Sequence, residues 1–215
     1  SFGVIDADHA GRVSDFKEKP ANPPSMPSDP TRSYASMGNY LFNAKVLVQA
    51  LKEANERGEH DFGHHVLPKL KDTHRVFAYD FATNKVPGTK PYEEPAYWRD
   101  VGTRDAYFNA HQDLLGETPR FDMFNPQWRI FSSNYQGPVA RLMDAKIYNS
   151  VIAAGSMVRQ ATIVNTIIRR EVTIEDDVEI EDCLIQDYVH IKRGARLRRA
   201  IIGGYNVIEA GTRIG

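Results

Sequence analysis

A single cysteine, Cys183, stands in 215 residues. That excludes an internal disulfide and a zinc site built on several thiolates, and it suits a reducing compartment. No apolar run is long enough to span a bilayer and no secretory leader opens the sequence, so no membrane partner is expected and the expected location is cytoplasmic. An excess of one charge is also missing. The 27 Lys and Arg against 28 Asp and Glu leave a net charge of −1, which gives no general pull toward nucleic acid. No Gly-x-Gly-x-x-Gly and no lysine-bearing phosphate loop occurs, so nothing in the chain reads as a nucleotide-phosphate cradle. What is present is ordinary for a soluble protein: 41% hydrophobic and 26% charged residues, enough for one large core or two modest ones.

The first half mixes strands and helices. The runs "FGVIDAD" and "RVSDFKEKP" flank "HAG", where Gly11 suits a hairpin turn. "SMGNYLFN" reads as a strand, and Asn43 is placed to cap a helix over "AKVLVQALKEANER" that Gly58 ends. "HDFGHHVLPKL" reads as a short helical segment interrupted by Pro68, with His60, His64 and His65 as a polar helix start and not a metal cluster. "RVFAYDF" and "AYWRDVG" read as strands, after which Thr103 caps "RDAYFNAHQDLL", closed by Gly116. Residues 118–150 form a connector with Pro119, Pro126 and Pro138 and no clear period.

From residue 151 the pattern changes. Ile152, Val158, Ile163, Ile168, Ile174, Ile180, Ile185, Ile191, Leu197, Ile202, Ile208 and Ile214 recur in steps of five or six. Three steps sum to about 17, which places Ile163, Ile180, Leu197 and Ile214 in one column and Ile174, Ile191 and Ile208 in another. This is the hexapeptide signature of a three-sided, left-handed parallel β-helix. Cys183 falls inside the prism as a small packing residue. The same stacking sets Glu175, Asp176, Glu179, Glu181 and Asp182 one coil from Lys192, Arg193, Arg196, Arg198 and Arg199. "KRGARLRR" therefore reads either as one side of a charge ladder or as an anion site, with Arg193 and Arg196 the candidate regulatory residues.

Glu18, Lys19 and Pro20 end the second run of the hairpin. Neighbours on a strand point to opposite faces, so the Glu18 and Lys19 side chains cannot do the same job. They are either two solvated edge charges or a pair in which one meets a phosphate and the other a hydroxyl. The surrounding motifs bear on that choice: "FGV" at 2–4, "FKEKPANPPSMP" at 16–27, "SMGNYLF" at 36–42, "HDFG" at 60–63 and "YWRDVGT" at 97–103, followed by the β-helix. In this order they resemble the sugar-nucleotide pyrophosphorylases, most closely the bacterial glucose-1-phosphate adenylyltransferases, and the similarity covers essentially the whole chain.

The resemblance implies a partial Rossmann-like nucleotidyltransferase domain at 1–117, the connector at 118–150 and the β-helix at 151–215. It implies adenylyl transfer from ATP to glucose 1-phosphate, giving ADP-glucose for glycogen synthesis. By the same resemblance Lys19 binds the sugar phosphate. Gly3, Glu18, Ser36, Tyr40, Asp61, Phe62 and Trp98 hold the sugar, and Asp100 ligates the catalytic Mg²⁺. Lys19 and Asp100 are thus the catalytic candidates. Chemistry supports these types: two anionic phosphates must meet, and a lysine point charge and a hard cation on a carboxylate stabilise that approach. Small phosphorylated effectors and a homotetramer are implied as well. Gly204 stands where some relatives carry an effector-contacting arginine.

The family's glycine-rich phosphate loop and second metal-site aspartate belong to an N-terminal half with no counterpart here. The chain, which starts inside a strand and stops inside a repeat, is expected to be a fragment and inactive alone. Three rivals remain at this level: another sugar-1-phosphate nucleotidyltransferase, a noncatalytic regulatory homologue, and a hexapeptide acyltransferase using His190.

Overall fold

A computed structural model describes residues 3–18, 20–131 and 134–215. The chain divides into two compact units, residues 1–84 and 85–215.

The first unit is α/β. Strands β1 (Gly3–Ala7) and β2 (Val13–Glu18) pair antiparallel, joined through Gly11 at φ +78°, and β3 (Tyr34–Ala35) pairs with the other edge of β1. Helix α1 (Ala44–Glu56) starts at Asn43, whose side chain accepts from the Lys45 N–H, and the chain leaves it through Gly58 at φ +69°. A single π-helical turn (Phe62–Val66) runs directly into α2 (Leu67–Thr73), where Pro68 occupies the first turn. Pro68 therefore opens α2 instead of interrupting it, because a first-turn N–H has no helical partner to lose. The core joins Ala54, Val66 and Leu70 to Phe42, Val46, Ala50, Phe62 and Val76.

Three segments expected as strands are not strands. "SMGNYLF" turns at Gly38, φ +73°, and the Ser36 and Tyr40 hydroxyls meet at 2.9 Å across that turn. "RVFAYDF" makes one bridge, Phe77 to Arg12, before a 3₁₀ turn at Phe81–Thr83. "AYWRDVG" has no strand partner among the described residues. Aromatic alternation misleads in all three. Tyr97 stacks on Phe121 at 5.1 Å and Tyr40 on Phe62, while Phe77 and Tyr79 are exposed.

In the second unit, α3 (Arg104–Gln112) is capped by Thr103, whose hydroxyl accepts from the Ala106 N–H. The solenoid then begins at Arg141, ten residues before the aliphatic period becomes regular. Its three parallel sheets hold five, five and four strands. The expected columns are paired in register, Ile163, Ile180, Leu197 and Ile214 on one face and Ile174, Ile191 and Ile208 on another, and Val158 extends the second column by one coil. Ile163, Ile168, Ile174, Ile185 and Ile191 are fully buried. Cys183 is buried among them, and burial pushes its thiol up to about 11, so it is a packing group and not a nucleophile. The corners require left-handed backbone, supplied at one corner by Asn149, Asn165 and Asp182 at φ 43° to 50°. The Asn149 amide donates to Asn165 at 2.8 Å and the Asn165 amide to Asp182 at 3.1 Å, so the corner residues form a ladder of their own.

The charge ladder follows the stacking in part. Arg193 meets Asp176 at 2.8 Å, Arg198 meets Glu181 at 3.3 Å, and Arg196 is paired with Glu179. Asp176 is also held from the coil before it by Arg159 at 3.0 Å. Lys192 instead reaches forward to Glu209 at 2.8 Å, and Glu175 takes the His190 ring at 2.8 Å and the Arg193 N–H at 3.0 Å. Asp182 accepts from Asn165. A side chain in a stacked coil lies as close to the coil after it as to the one before, so register limits its partners to two without choosing between them.

Arg193 and Arg159 hold the Asp176 carboxyl below its ordinary value of 3.8. A depressed folded value means that the stabilisation is complete above the unfolded value and is lost as pH falls through the folded one. The melting temperature of the solenoid is therefore expected to fall below about pH 4. Asp176→Asn should flatten that fall; parallel curves for the two proteins between pH 7 and pH 3 would remove Asp176 from the ladder's stabilising pairs.

Candidate active site

In the first unit the register of the hairpin starts the site. Gly3 lies opposite Glu18, at the open end of β1 and β2. A Cβ at Gly3 would fall 2.9 Å from the Glu18 Oε2 and 2.7 Å from the Phe16 ring, so only glycine lets the carboxylate lie over β1. The Gly3 carbonyl accepts from the Ser36 N–H at 2.8 Å, which anchors the turn carrying Ser36 and Tyr40. The Tyr40 ring stacks on Phe62 at 5.5 Å, and Phe62 meets Phe42 edge-on at 5.6 Å. Phe62 is thus both a wall of the site and a member of the core.

Asp61 caps the π-helical turn. Its Oδ1 accepts from the His64 N–H at 2.7 Å, and chiefly that backbone bond holds its carboxyl below the usual range. Its own N–H donates to the His65 Nδ1 at 3.2 Å. The π-helical turn widens the first loop of the segment, a local irregularity that often accompanies functional sites. At the next position a Cβ on Gly63 would lie 3.4 Å from the Glu18 Oε2, 3.6 Å from the Asp61 Oδ1 and 3.6 Å from the Phe16 ring. Gly3, Glu18, Ser36, Tyr40, Asp61 and Phe62 are therefore brought into one neighbourhood. Sequence reasoning missed Phe16 and Gly63 as members of it, although "HDFG" ends on that glycine. Lys19 lies outside the described residues.

Trp98 and Asp100 belong to the second unit. Asp100 is exposed and its Oδ1 accepts from the Gly102 N–H at 3.1 Å. Between them Arg99 forks onto Glu94 at 2.6 and 2.8 Å and reaches Asp113 at 2.8 Å, with its guanidinium 4.4 Å from the Tyr97 ring centre. Burial and the neighbouring Asp113 push the Tyr97 phenol up to about 12. Glu94 and Asp113 together hold the Arg99 guanidinium charged.

A hard divalent cation needs several oxygen ligands, of which protein carboxylates commonly supply one or two. Asp100 offers one, and among the described residues no group of three His, Cys, Asp or Glu could close a site. Arg193 and Arg196 are each engaged with an acid, as a ladder requires. Among the described residues no helix is long and apolar enough to cross a membrane.

Comparison with known proteins finds two family models along the chain. Residues 139–215 match the family described as GlmU-like, C-terminal hexapeptide. Over its whole length the chain is 49% identical to a glucose-1-phosphate adenylyltransferase of Thermodesulfovibrio yellowstonii, covering 53% of that protein. It is 41% identical to that of Corynebacterium jeikeium and 40% identical to that of Photobacterium profundum, covering 54% of each. The chain thus spans about half the length of these relatives. Residues 1–117, more than half of the chain, match the nucleotidyl transferase family model, and the chain belongs to that family.

Proposed function

We propose that this chain supplies the sugar-phosphate side of a glucose-1-phosphate adenylyltransferase, which joins ATP and α-D-glucose 1-phosphate into ADP-glucose and releases pyrophosphate. The observation that carries the reading is the neighbourhood built on Glu18, where a carboxylate, a capping aspartate, a paired serine and tyrosine and an aromatic face converge over two glycines. Carboxylates accept from sugar hydroxyls, and an aromatic ring covers the apolar face of a pyranose. Lys19, next to Glu18 in sequence, brings the cation for the sugar phosphate. Trp98 adds to the sugar side, and Asp100 gives one oxygen to a divalent ion, Mg²⁺ in this reading.

When bound, such an ion neutralises charge on the phosphates during transfer. The chain's own residues bind and orient the sugar phosphate. On this reading residues 1–117 are part of the catalytic domain, 118–150 the connector and 151–215 the regular β-helix, which serves assembly into a homotetramer and response to phosphorylated effectors in the cytoplasm. Acyl transfer at His190 has little support: its Nε2 is bonded to Glu175, and the coils around it are regular.

The test is product formation by the full-length protein that carries this segment, with ATP and other nucleoside triphosphates against glucose 1-phosphate and other sugar 1-phosphates. ADP-glucose should be the dominant product. Faster turnover of a different pair would move the assignment to another sugar nucleotide, and no turnover of any pair would favour a noncatalytic homologue. In an active protein, Lys19→Ala is expected to raise the KM for glucose 1-phosphate by about 10- to 100-fold, the loss of one charge-assisted bond, with the KM for ATP little changed. Equal rises for both substrates would remove Lys19 from the sugar phosphate.

A further inference from the structure

We propose that Arg99 is a positioning residue for Trp98 and Asp100: its guanidinium, tied at once to Glu94, Asp113 and the Trp98 carbonyl, fixes the irregular stretch from which the two project. The proposal rests on the roles given to those two neighbours in sugar and metal binding.

Residues 97–102 have neither helix nor strand. A strand would be held by a ladder of backbone bonds; residues 97–102 form no strand, and Arg99 ties them to their surroundings through its side chain. Its Nη1 donates to Glu94 at 2.8 Å and to the Trp98 carbonyl at 3.0 Å, its Nη2 to Glu94 at 2.6 Å, and its Nε to Asp113 at 2.8 Å. The guanidinium also stacks on Tyr97, whose hydroxyl meets the same Asp113 oxygen at 3.2 Å. Three anchors in different directions over-determine one residue, and that residue stands between the two site candidates.

The anchors are themselves fixed. Asp113 ends α3, and its backbone carbonyl accepts from the Arg120 N–H at 2.9 Å. The Glu94 N–H donates to the Arg120 carbonyl at 2.9 Å, and the Arg120 side chain lies 3.7 Å from Glu94 and 3.6 Å from Asp113. Two acids and two arginines make the cluster neutral, so it can stay half-buried without a net charge. Its effect is to set the chain at 99 against the far end of α3, while Thr103 sets the near end. Asp100 then leaves from a segment fixed on both sides.

Lysine cannot replace this arginine. An ammonium is one point with rotating donors, and it can reach neither two carboxylates and a carbonyl together nor the planar stacking on Tyr97. Arg99→Lys keeps the charge and loses the fork, and so separates positioning from electrostatics.

The experiment uses the full-length protein labelled with 5-fluorotryptophan, the Trp98 resonance being assigned by its disappearance in Trp98→Phe. In Arg99→Lys the Trp98 ¹⁹F signal should shift or split while that of Trp128 stays in place. The kcat should fall about 10- to 100-fold, as expected when a reacting group is displaced by about 1 Å, with the KM for ATP within about twofold. Asp113→Asn and Glu94→Gln, which each remove one anchor, should move the same two readouts less, and they carry the test if Arg99→Lys does not fold. An unmoved Trp98 signal with unchanged kcat would overturn the proposal. A lowered melting temperature with the Trp98 and Trp128 signals displaced together would also overturn it, because Arg99 would then be a general stabiliser. If the wild-type protein turns over no substrate pair but the Trp98 signal still moves alone, the functional reading fails and the positioning role stands.

Discussion

Asp100→Asn is expected to lower the kcat of the full-length protein by about 100- to 1,000-fold, the usual consequence of losing one group that stabilises transition-state charge. The KM for glucose 1-phosphate should stay within about threefold. The substitution is a narrow one here. The Asp100 Oδ1 accepts from the Gly102 N–H at 3.1 Å, and the amide oxygen of asparagine can accept the same bond. A Cβ at Gly102 would lie 3.3 Å from that oxygen, so the turn around it is close-fitting, and asparagine preserves its shape. What disappears is the negative charge, and with it most of the affinity of a hard cation for that oxygen. The effect should appear in the chemical step, since the ion acts on phosphate charge as it redistributes. Steady-state rates across a Mg²⁺ titration would measure it. A variant that matched the wild-type kcat at saturating Mg²⁺ would show that Asp100 is not a ligand needed in the transition state. A tenfold rise in the KM for the sugar phosphate alone would place it on the sugar instead.

The parts of this fold that sequence could reveal share a physical cause. A prism wall allows one inward side chain per short strand, and a stacked neighbour limits its size, so the same aliphatic recurs every five or six residues and the register of Ile163, Ile180 and Leu197 follows. Helix ends were legible for a comparable reason: Asn43 and Thr103 satisfy local N–H groups whatever the tertiary structure. The loops were not. Tyr40, Phe77 and Trp98 sit in alternating apolar patterns, yet none of them lies in a strand, and alternation carries no record of whether a partner strand exists.

The candidate residues divide in the same way. Motif order drew attention to Glu18, Ser36, Asp61 and Asp100. Phe16, Gly63 and Arg99 matter through what they touch across gaps in sequence, from two residues to more than forty, and no local pattern announces such contacts. Gly63 could have been noticed in "HDFG", since a glycine inside a helical start is unfavourable. A Cβ there would make ordinary contact with the Glu18 carboxylate, at 3.4 Å. Arg99 had a weaker signal. Its two acidic partners stand five and fourteen positions away, spacings that match no helix face or strand pair, and only the fold of residues 94–120 brings them to one guanidinium.

Ile180→Ala is expected to produce the largest loss of stability among single truncations in the solenoid. Ile180 is 1% exposed and stacks between Ile163, at 0%, and Leu197, at 2%. Removing its outer carbons leaves a hole that both neighbours border, and neither can close it, because each is fixed by the backbone ladder of its own coil. Truncations of this kind cost about 2–5 kcal/mol, with the larger values where the walls cannot relax. For a chain of this size that corresponds to a fall in melting temperature of about 5–20 °C. Ile180→Val should cost about 0.5–1.5 kcal/mol, since it removes one methylene and keeps the β-branch. Glu179→Ala, one residue earlier on the same strand but pointing outward to a half-exposed pair with Arg196, should fall within about 1 kcal/mol of wild type. The coils are coupled to their nearest neighbours, so the damage should spread to adjacent coils before it reaches residues 1–84. Amide exchange should therefore quicken first at Ile163 and Leu197 and leave Val4 in β1 protected. Chemical denaturation of the three variants gives the order of effects. If Ile180→Ala cost no more than Glu179→Ala, the inward column would not be what holds the coils together, and the weight would shift to the backbone ladders and the asparagine corner.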